Sequence, residues 1–291
     1  MIKENITIID KCNMDENLVN DIQNLLTTKK WTMTKIAKSL KINKHRVKKL
    51  FTKNNIVYYA NRNLKYNLNE NYFDIIDSEE KAYILGFIYA DGCNHNNSNR
   101  VSIYISVRDI DLLLKISHIM FGENAIKHQT RLQPKSKEYL EYISIDMNSK
   151  HLSERLIELG VTPNKSKTLK FPEWLDKNLY KHFIRGIIDG DGCIHLPSNN
   201  RDSPSVGLIS ATSFNNSLKE FLEKELSIKS YINKANKQDK NEMYDLVIKN
   251  YKQCNVLLHW LYDGATMYLD RKYETYQNFL SLYNNLRDQN K

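Results

Sequence analysis

The chain has 291 residues, 41% of them hydrophobic, which is enough for one sizeable globular domain plus a small one. Its longest apolar stretch, near Tyr83 to Ala90, is far below the ~18 residues of a spanning helix, and the polar start MIKENITIID has no signal-peptide shape. The expectation is a cytoplasmic protein, or one of an organelle or a phage-infected cell, without a membrane partner. A net charge of +9 calls for a polyanionic partner, and Cys12, Cys93, Cys193 and Cys254 show no C-x-x-C spacing, so neither a zinc ribbon nor a disulfide framework is indicated.

The charge is concentrated in one short element. Between Lys29 and Lys53 stand ten Lys or Arg and no acid, which leaves the remainder of the chain near neutral. There the run MTKIAKSLKINKHRVKKLF puts Ile36, Ala37 and Leu40 on one helical face, Ile42 in a turn, and Val47 and Leu50 on a second face. This is the buried set of a helix-turn-helix, with residues 17–26 as a preceding helix and Asn43 as N-cap of the second helix of the motif. Lys41 stands where many such turns carry Gly. The outer side of the second helix would carry Lys44, His45, Arg46, Lys48, Lys49 and Lys53, residue types that reach phosphates and base edges from a major groove. The plain alternative is a solvated basic face. Residues 1–59 thus read as a small all-α DNA-binding domain, and residues 60–80, rich in Asn, as a linker.

Compared with itself, the chain repeats. KAYILGFIYADGCNH (81–95) matches KHFIRGIIDGDGCIH (181–195) at a constant offset of 100. Each copy is followed by a strand run (from Val101; from Ser205), a helix (109–120; 215–226), two more strand runs (126–133 and 141–147; 228–235 and 243–248) and a closing helix (151–159; 253–262). With the short strand directly after each motif, each half reads α-β-β-α-β-β-α. The halves span residues 81–175 and 176–291, and the fold class is α+β.

The repeated helix carries small residues four apart, Gly86 and Ala90 in one copy and Gly186 and Gly190 in the other, so two such helices can approach closely. Directly after them come Asp91-Gly92 and Asp191-Gly192. Packed along their small faces, the helices bring Asp91 and Asp191 side by side, and two like charges there call for a hard divalent cation. Water and phosphate oxygens would complete its shell, an arrangement suited to phosphodiester cleavage. The plain alternative, an Asp that merely forms the turn ahead of Gly, does not account for the duplication.

ILGFIYADG (84–92) and IRGIIDGDG (184–192) resemble two copies of the LAGLIDADG motif, and the resemblance to that homing endonuclease family covers about Lys81 to Arg287. It implies a pseudo-twofold saddle with its strands in the DNA major groove. It also implies Mg²⁺, with Mn²⁺ or Ca²⁺ as substitutes, held by Asp91 and Asp191 with the Gly92 and Gly192 carbonyls as neighbours. Each half would cut one strand, leaving short 3′ overhangs, and the partner would be double-stranded DNA with a long asymmetric target, bound by a monomer. The sixth motif position, Tyr89 in one copy and Asp189 in the other, fits one without an obligatory catalytic role. The family keeps a basic residue near each metal site. Aligning the segments after the closing helices pairs Lys165 with Lys272, with Lys167 and Arg271 as rivals.

Alternation places Lys127, Gln129, Arg131 and Gln133 on one strand face, and Lys229, Tyr231, Asn233 and Lys237 on its counterpart, as candidate DNA contacts. Cys93-x-His95 and Cys193-x-His195 do not have a recognised zinc spacing, and the histidines are read as packing or touching DNA. The competing function is a scaffold that binds without cutting, as a transcriptional regulator or an intron RNA maturase; retention of both acids favours the enzyme.

Overall fold

The computed structural model describes residues 18–22, 24–25, 33–53, 67–95, 98–132, 139–198, 202–234 and 243–289. The chain divides into two compact units, residues 1–65 and 66–291.

In the first unit, residues 18–22 and 24–25 are helical, followed by α1 (Met33–Ser39) and α2 (Lys44–Lys53). Ile22, Ile36, Ala37, Val47 and Leu50 close a small core, ringed by Leu18, Val19, Leu25, Leu40 and Ile42. Asn43 caps α2, its side-chain oxygen accepting the His45 amide at 2.8 Å. Lys41 takes the left-handed conformation, φ 54°, that glycine adopts without strain; for a residue with a Cβ this costs about 1 kcal/mol.

The second unit is built from the repeat. Its first half runs α3 (Glu79–Asp91), β1 (Gly92–His95), β2 (Arg100–Ser106), α4 (Ile110–Phe121), β3 (Lys127–Leu132), β4 (Tyr139–Asn148) and α5 (Lys150–Glu158). The second half runs α6 (Tyr180–Asp191), β5 (Gly192–His195), β6 (Ser205–Ala211), α7 (Thr212–Leu226), β7 (Ser230–Lys234), β8 (Met243–Lys249) and α8 (Tyr251–Tyr262). Both follow the order α-β-β-α-β-β-α. The two sheets are antiparallel and have the same topology, β1-β2-β4-β3 and β5-β6-β8-β7. In each sheet one face is buried, by Val101, Ile103, Ile143, Ile145 and Met147 in the first and Val206, Leu208, Leu246 and Ile248 in the second. By period-two alternation the opposite face carries Ser102, Tyr104, Ser144 and Asp146 in the first sheet and Gly207, Ile209, Asp245 and Val247 in the second.

Three features depart from the sequence reading. The expected linker is not free over its described part, because Tyr72 and Phe73 are buried in the core of the second unit and the Tyr72 hydroxyl donates to Glu80 at 2.6 Å. The two aromatics anchor the run together with the Asn69 amide, which donates to the Met120 carbonyl, and with Glu70 and Asp74, which engage Ser149 and His151 at 2.6 Å; residues 60–66 lie outside the described set. The second-half helix expected from Asn215 begins at Thr212, and Asn215 is buried within it, its amide donating to the Leu208 and Tyr244 carbonyls at 3.3 and 2.8 Å. Finally, α8 does not close the chain. A further helix, α9 (Asp270–Gln289), packs on it through Tyr276 and Phe279, with Tyr262 stacked on Tyr276 at 5.5 Å.

Candidate active site

The site begins with the contact between α3 and α6. A Cβ added to Gly86 would fall on the Phe183 carbonyl, and one added to Gly186 on the Tyr83 carbonyl, so the helices meet backbone to backbone. Lower down, a Cβ on Gly190 would collide with that of Ala90 and lie 3.1 Å from an Asp91 oxygen. The four small residues therefore do what their spacing suggested, and bring the two acid-bearing helix ends together. Gly92 and Gly192 are extended, with φ −82° and −77°, and carry the chain straight into β1 and β5. Their glycine character serves close approach: a side chain on either would strike Ile88 or Ile188 of its own helix.

Burial raises the Asp91 carboxyl to about 6, and repulsion from Asp191 adds to the effect. Burial likewise raises Asp191, while Lys165 and Lys272 oppose the shift. Both lysines are themselves buried. Lys165 donates to the Ala90 and Gly92 carbonyls at 3.0 and 2.7 Å, and Lys272 to the Asp189 and Gly192 carbonyls at 2.8 and 2.6 Å and also to that of Ile188. Each ammonium thus sits on the carbonyl end of the motif helix of its own half, where the helix dipole favours positive charge. Burial lowers Lys165, and lowers Lys272 to about 8, against the pull of the nearby carboxylates. The Gly92 and Gly192 carbonyls, expected as metal neighbours, each commit a lone pair to a lysine. Of the rivals, Lys167 is exposed and Arg271 pairs with Asp109 at 3.0 Å.

The sixth motif position is an anchor in both halves. The Tyr89 hydroxyl donates to the Leu159 carbonyl. Asp189, fully buried, accepts from the Tyr83 and Tyr262 hydroxyls at 2.8 and 2.6 Å and from the Leu269 amide at 2.8 Å. Each contact fixes the segment that leads to the lysine of that half. Arg185, 1% exposed, takes the place of Leu85 in the other copy. It donates to the Met267 and Leu261 carbonyls at 2.7 and 2.6 Å and to Glu79 at 2.6 Å, tying the start of α3 to the second half. Sequence reasoning missed Arg185 and Glu79, although an Arg in the middle of an otherwise apolar motif run was a visible signal.

The donor set fits a hard divalent cation rather than a zinc site. Among the described residues no group of three His, Cys, Asp or Glu converges, so the protein offers two carboxylates beside solvent, as suits a cation that keeps water and phosphate oxygens. Cys93 and Cys193 are exposed free thiols. His95 engages Ser102 at 3.0 Å and Arg100 at 3.3 Å, and His195 engages Asp202 at 2.7 Å.

On the polar sheet faces, Lys127 and Gln129 project beside one another, as do Tyr231 and Asn233 in the second half. Lys229 precedes β7 and is exposed. Arg131 lies in β3 without a described side chain, and Gln133 and Lys237 lie outside the described residues. In the first unit His45, Arg46 and Lys49 are exposed, while the side chains of Lys44, Lys48 and Lys53 are outside the described set. No described helix is long and apolar enough to cross a membrane.

Fold and site together define a duplicated scaffold in which one chain supplies both halves of a paired-acid centre. Residues 184–283 match the sequence pattern of the LAGLIDADG endonuclease family. No curated protein matches the sequence. Among solved structures, it is similar to the homing endonuclease I-WcaI bound to its DNA recognition sequence, with 13% identity, TM-score 0.49, and 76% of this chain and 96% of that one covered. The LAGLIDADG meganuclease I-AabMI bound to uncleaved DNA shows 13% identity, TM-score 0.46, and 72% and 91% coverage. Full-length DUF199/WhiA from Thermatoga maritima shows 18% identity, TM-score 0.44, and 73% and 64% coverage.

Proposed function

We propose that the protein is a site-specific homing endonuclease that binds a long, asymmetric DNA duplex as a monomer and cuts both strands where its two halves meet, leaving short 3′ overhangs. The observation that carries this reading is the pair of abutting helix ends, where Asp91 and Asp191 stand together, with a buried lysine seated on each end. Two carboxylates with raised proton affinity form a centre that divalent charge would relieve. Mg²⁺, or Mn²⁺ or Ca²⁺ in its place, held by Asp91 and Asp191, would supply Lewis acidity toward the phosphodiester and an acidified water.

The chain's own part is positioning and electrostatics. Lys165 and Lys272 set positive charge beside the acids, and because backbone carbonyls hold them they need no reorganisation as negative charge builds on the phosphate. Lys127, Gln129, Lys229, Tyr231 and Asn233 lie where strands would meet base edges and phosphates in a major groove. In the first unit α2 is suited to act as a recognition helix, with His45, Arg46 and Lys49 adding contacts that lengthen the footprint.

The test is selection from a random duplex pool with Mg²⁺, followed by assay of variants on the selected site. Asp91→Asn and Asp191→Asn should each abolish double-strand cutting and leave binding intact. Cutting that survives in both variants would remove the assignment, and a wild-type chain that binds without cutting would point to a regulator.

A further inference from the structure

The two polar sheet faces are built on the same register but carry different chemistry. In the first half Cys93 is opposite Ser102, which is opposite Asp146. The corresponding row of the second half runs Cys193, Gly207, Val247 and Tyr231. One row further on, Tyr104, Ser144 and Lys127 have as counterparts Ile209, Asp245 and Asn233. The first face is closed by hydrogen bonds: Ser102 and Lys127 both donate to Asp146 at 2.6 Å, Gln129 donates to Ser144 at 2.8 Å, and the Tyr142 hydroxyl donates to Gln129 at 2.8 Å. The second face has Gly and Val where the first has Ser and Asp, and it exposes Ile209 at 48% within β6 and Tyr231 at 57% on β7, whereas among the described residues of the first face the exposed large apolar side chain is Leu140, at 48%, at the start of β4 and away from the Ser102–Asp146 and Tyr104–Ser144 rows.

An isoleucine held half open at the centre of a sheet face loses free energy to water unless something apolar covers it. In a major groove the apolar feature of a base edge is the thymine C5-methyl, while hydrogen-bonding side chains read the amino and carbonyl groups. We propose that the second sheet reads its half of the DNA site through thymine methyl groups, with Ile209 as the principal contact, flanked by Tyr231, whereas the first sheet reads its half through hydrogen bonds. This rests on the reading of the polar sheet faces as the DNA-binding surface. The same surface explains how one chain with two equivalent acids can demand an asymmetric site.

The experiment is a set of single thymine-to-deoxyuridine replacements, each removing one methyl, in the duplex selected by the full wild-type chain. Binding is measured in Ca²⁺ for the wild type, Ile209→Ala, and Tyr104→Ala as the equivalent change on the first sheet. At one thymine or more, loss of the methyl should weaken wild-type binding about fourfold, the effect of one buried methyl. That loss should vanish in Ile209→Ala and persist in Tyr104→Ala. Additive effects of Ile209→Ala and deoxyuridine at every thymine would overturn the inference while leaving DNA binding intact. Failure to bind any selected duplex would instead overturn the underlying DNA reading.

Discussion

Replacing Asp91 by Asn removes a charge at nearly constant volume, and the structure gives the sign and size of the consequence. The folded Asp91 carboxyl lies at about 6 against an ordinary value of 3.8, because burial and then Asp191 disfavour its ionised form. The folded protein therefore holds a proton that the unfolded chain has already released between these two values. Raising the pH through that window strips the proton against burial and repulsion, so metal-free stability falls from about pH 4 and the loss is complete above about pH 6. A shift of this size corresponds to about 3 kcal/mol, an upper value because ions and water screen the more open Asp191 side. The Asn variant lacks this loss. Urea denaturation followed by circular dichroism in EDTA should show it more stable than the wild type at pH 7.5, by up to about 3 kcal/mol, with the gap closing near pH 4. Added Ca²⁺ should reverse the order by stabilising the wild type alone. A variant no more stable than wild type at pH 7.5, or a gap independent of pH, would refute the reasoning that the two acids strain each other.

Other perturbations probe the rest of the molecule. Gly86→Ala places a methyl on the Phe183 carbonyl and should destabilise the protein by about 3 kcal/mol or more by urea titration, despite the better helix propensity of Ala. Asp189→Ala leaves two buried tyrosine hydroxyls and the Leu269 amide without their acceptor, so a loss of about 3 kcal/mol is expected, together with slower cutting as Lys272 loses its support. Deleting residues 1–65 should weaken DNA binding and flatten the slope of log K against log salt, because the ten basic residues between Lys29 and Lys53 go with it. An unchanged slope would take the first unit out of DNA binding.

The duplicated half was legible because its evidence is redundant: two copies at a fixed offset, with small residues and an acid at matching places, can be checked against each other. Lys165 and Lys272 were legible for the same reason, since both fall after a closing helix and only their pairing singled them out from Lys167 and Arg271. What escaped the sequence was what the second copy does not share with the first. Arg185 stands where the first copy has Leu85, so comparison of the copies marks it as a departure but says nothing of the carbonyls and carboxylate that neutralise it. Helix α9 has no counterpart in the first half. Tyr72 and Phe73 were hidden by the Asn-rich composition around them, which describes a segment's average and not its anchoring side chains.

The lysines that cap the acid-bearing helices come from the far end of each half, 73 residues after Gly92 for Lys165 and 80 after Gly192 for Lys272. During synthesis, both carboxylates leave the ribosome long before the second of these ammonium groups exists. Until residue 272 has emerged and docked, the second helix end lacks its fixed positive charge and Asp189 lacks the Leu269 amide. A nascent or prematurely stopped chain can thus present both acids without a finished centre, so the order of the chain itself delays completion of the paired-acid centre until the strands of both sheets have been made.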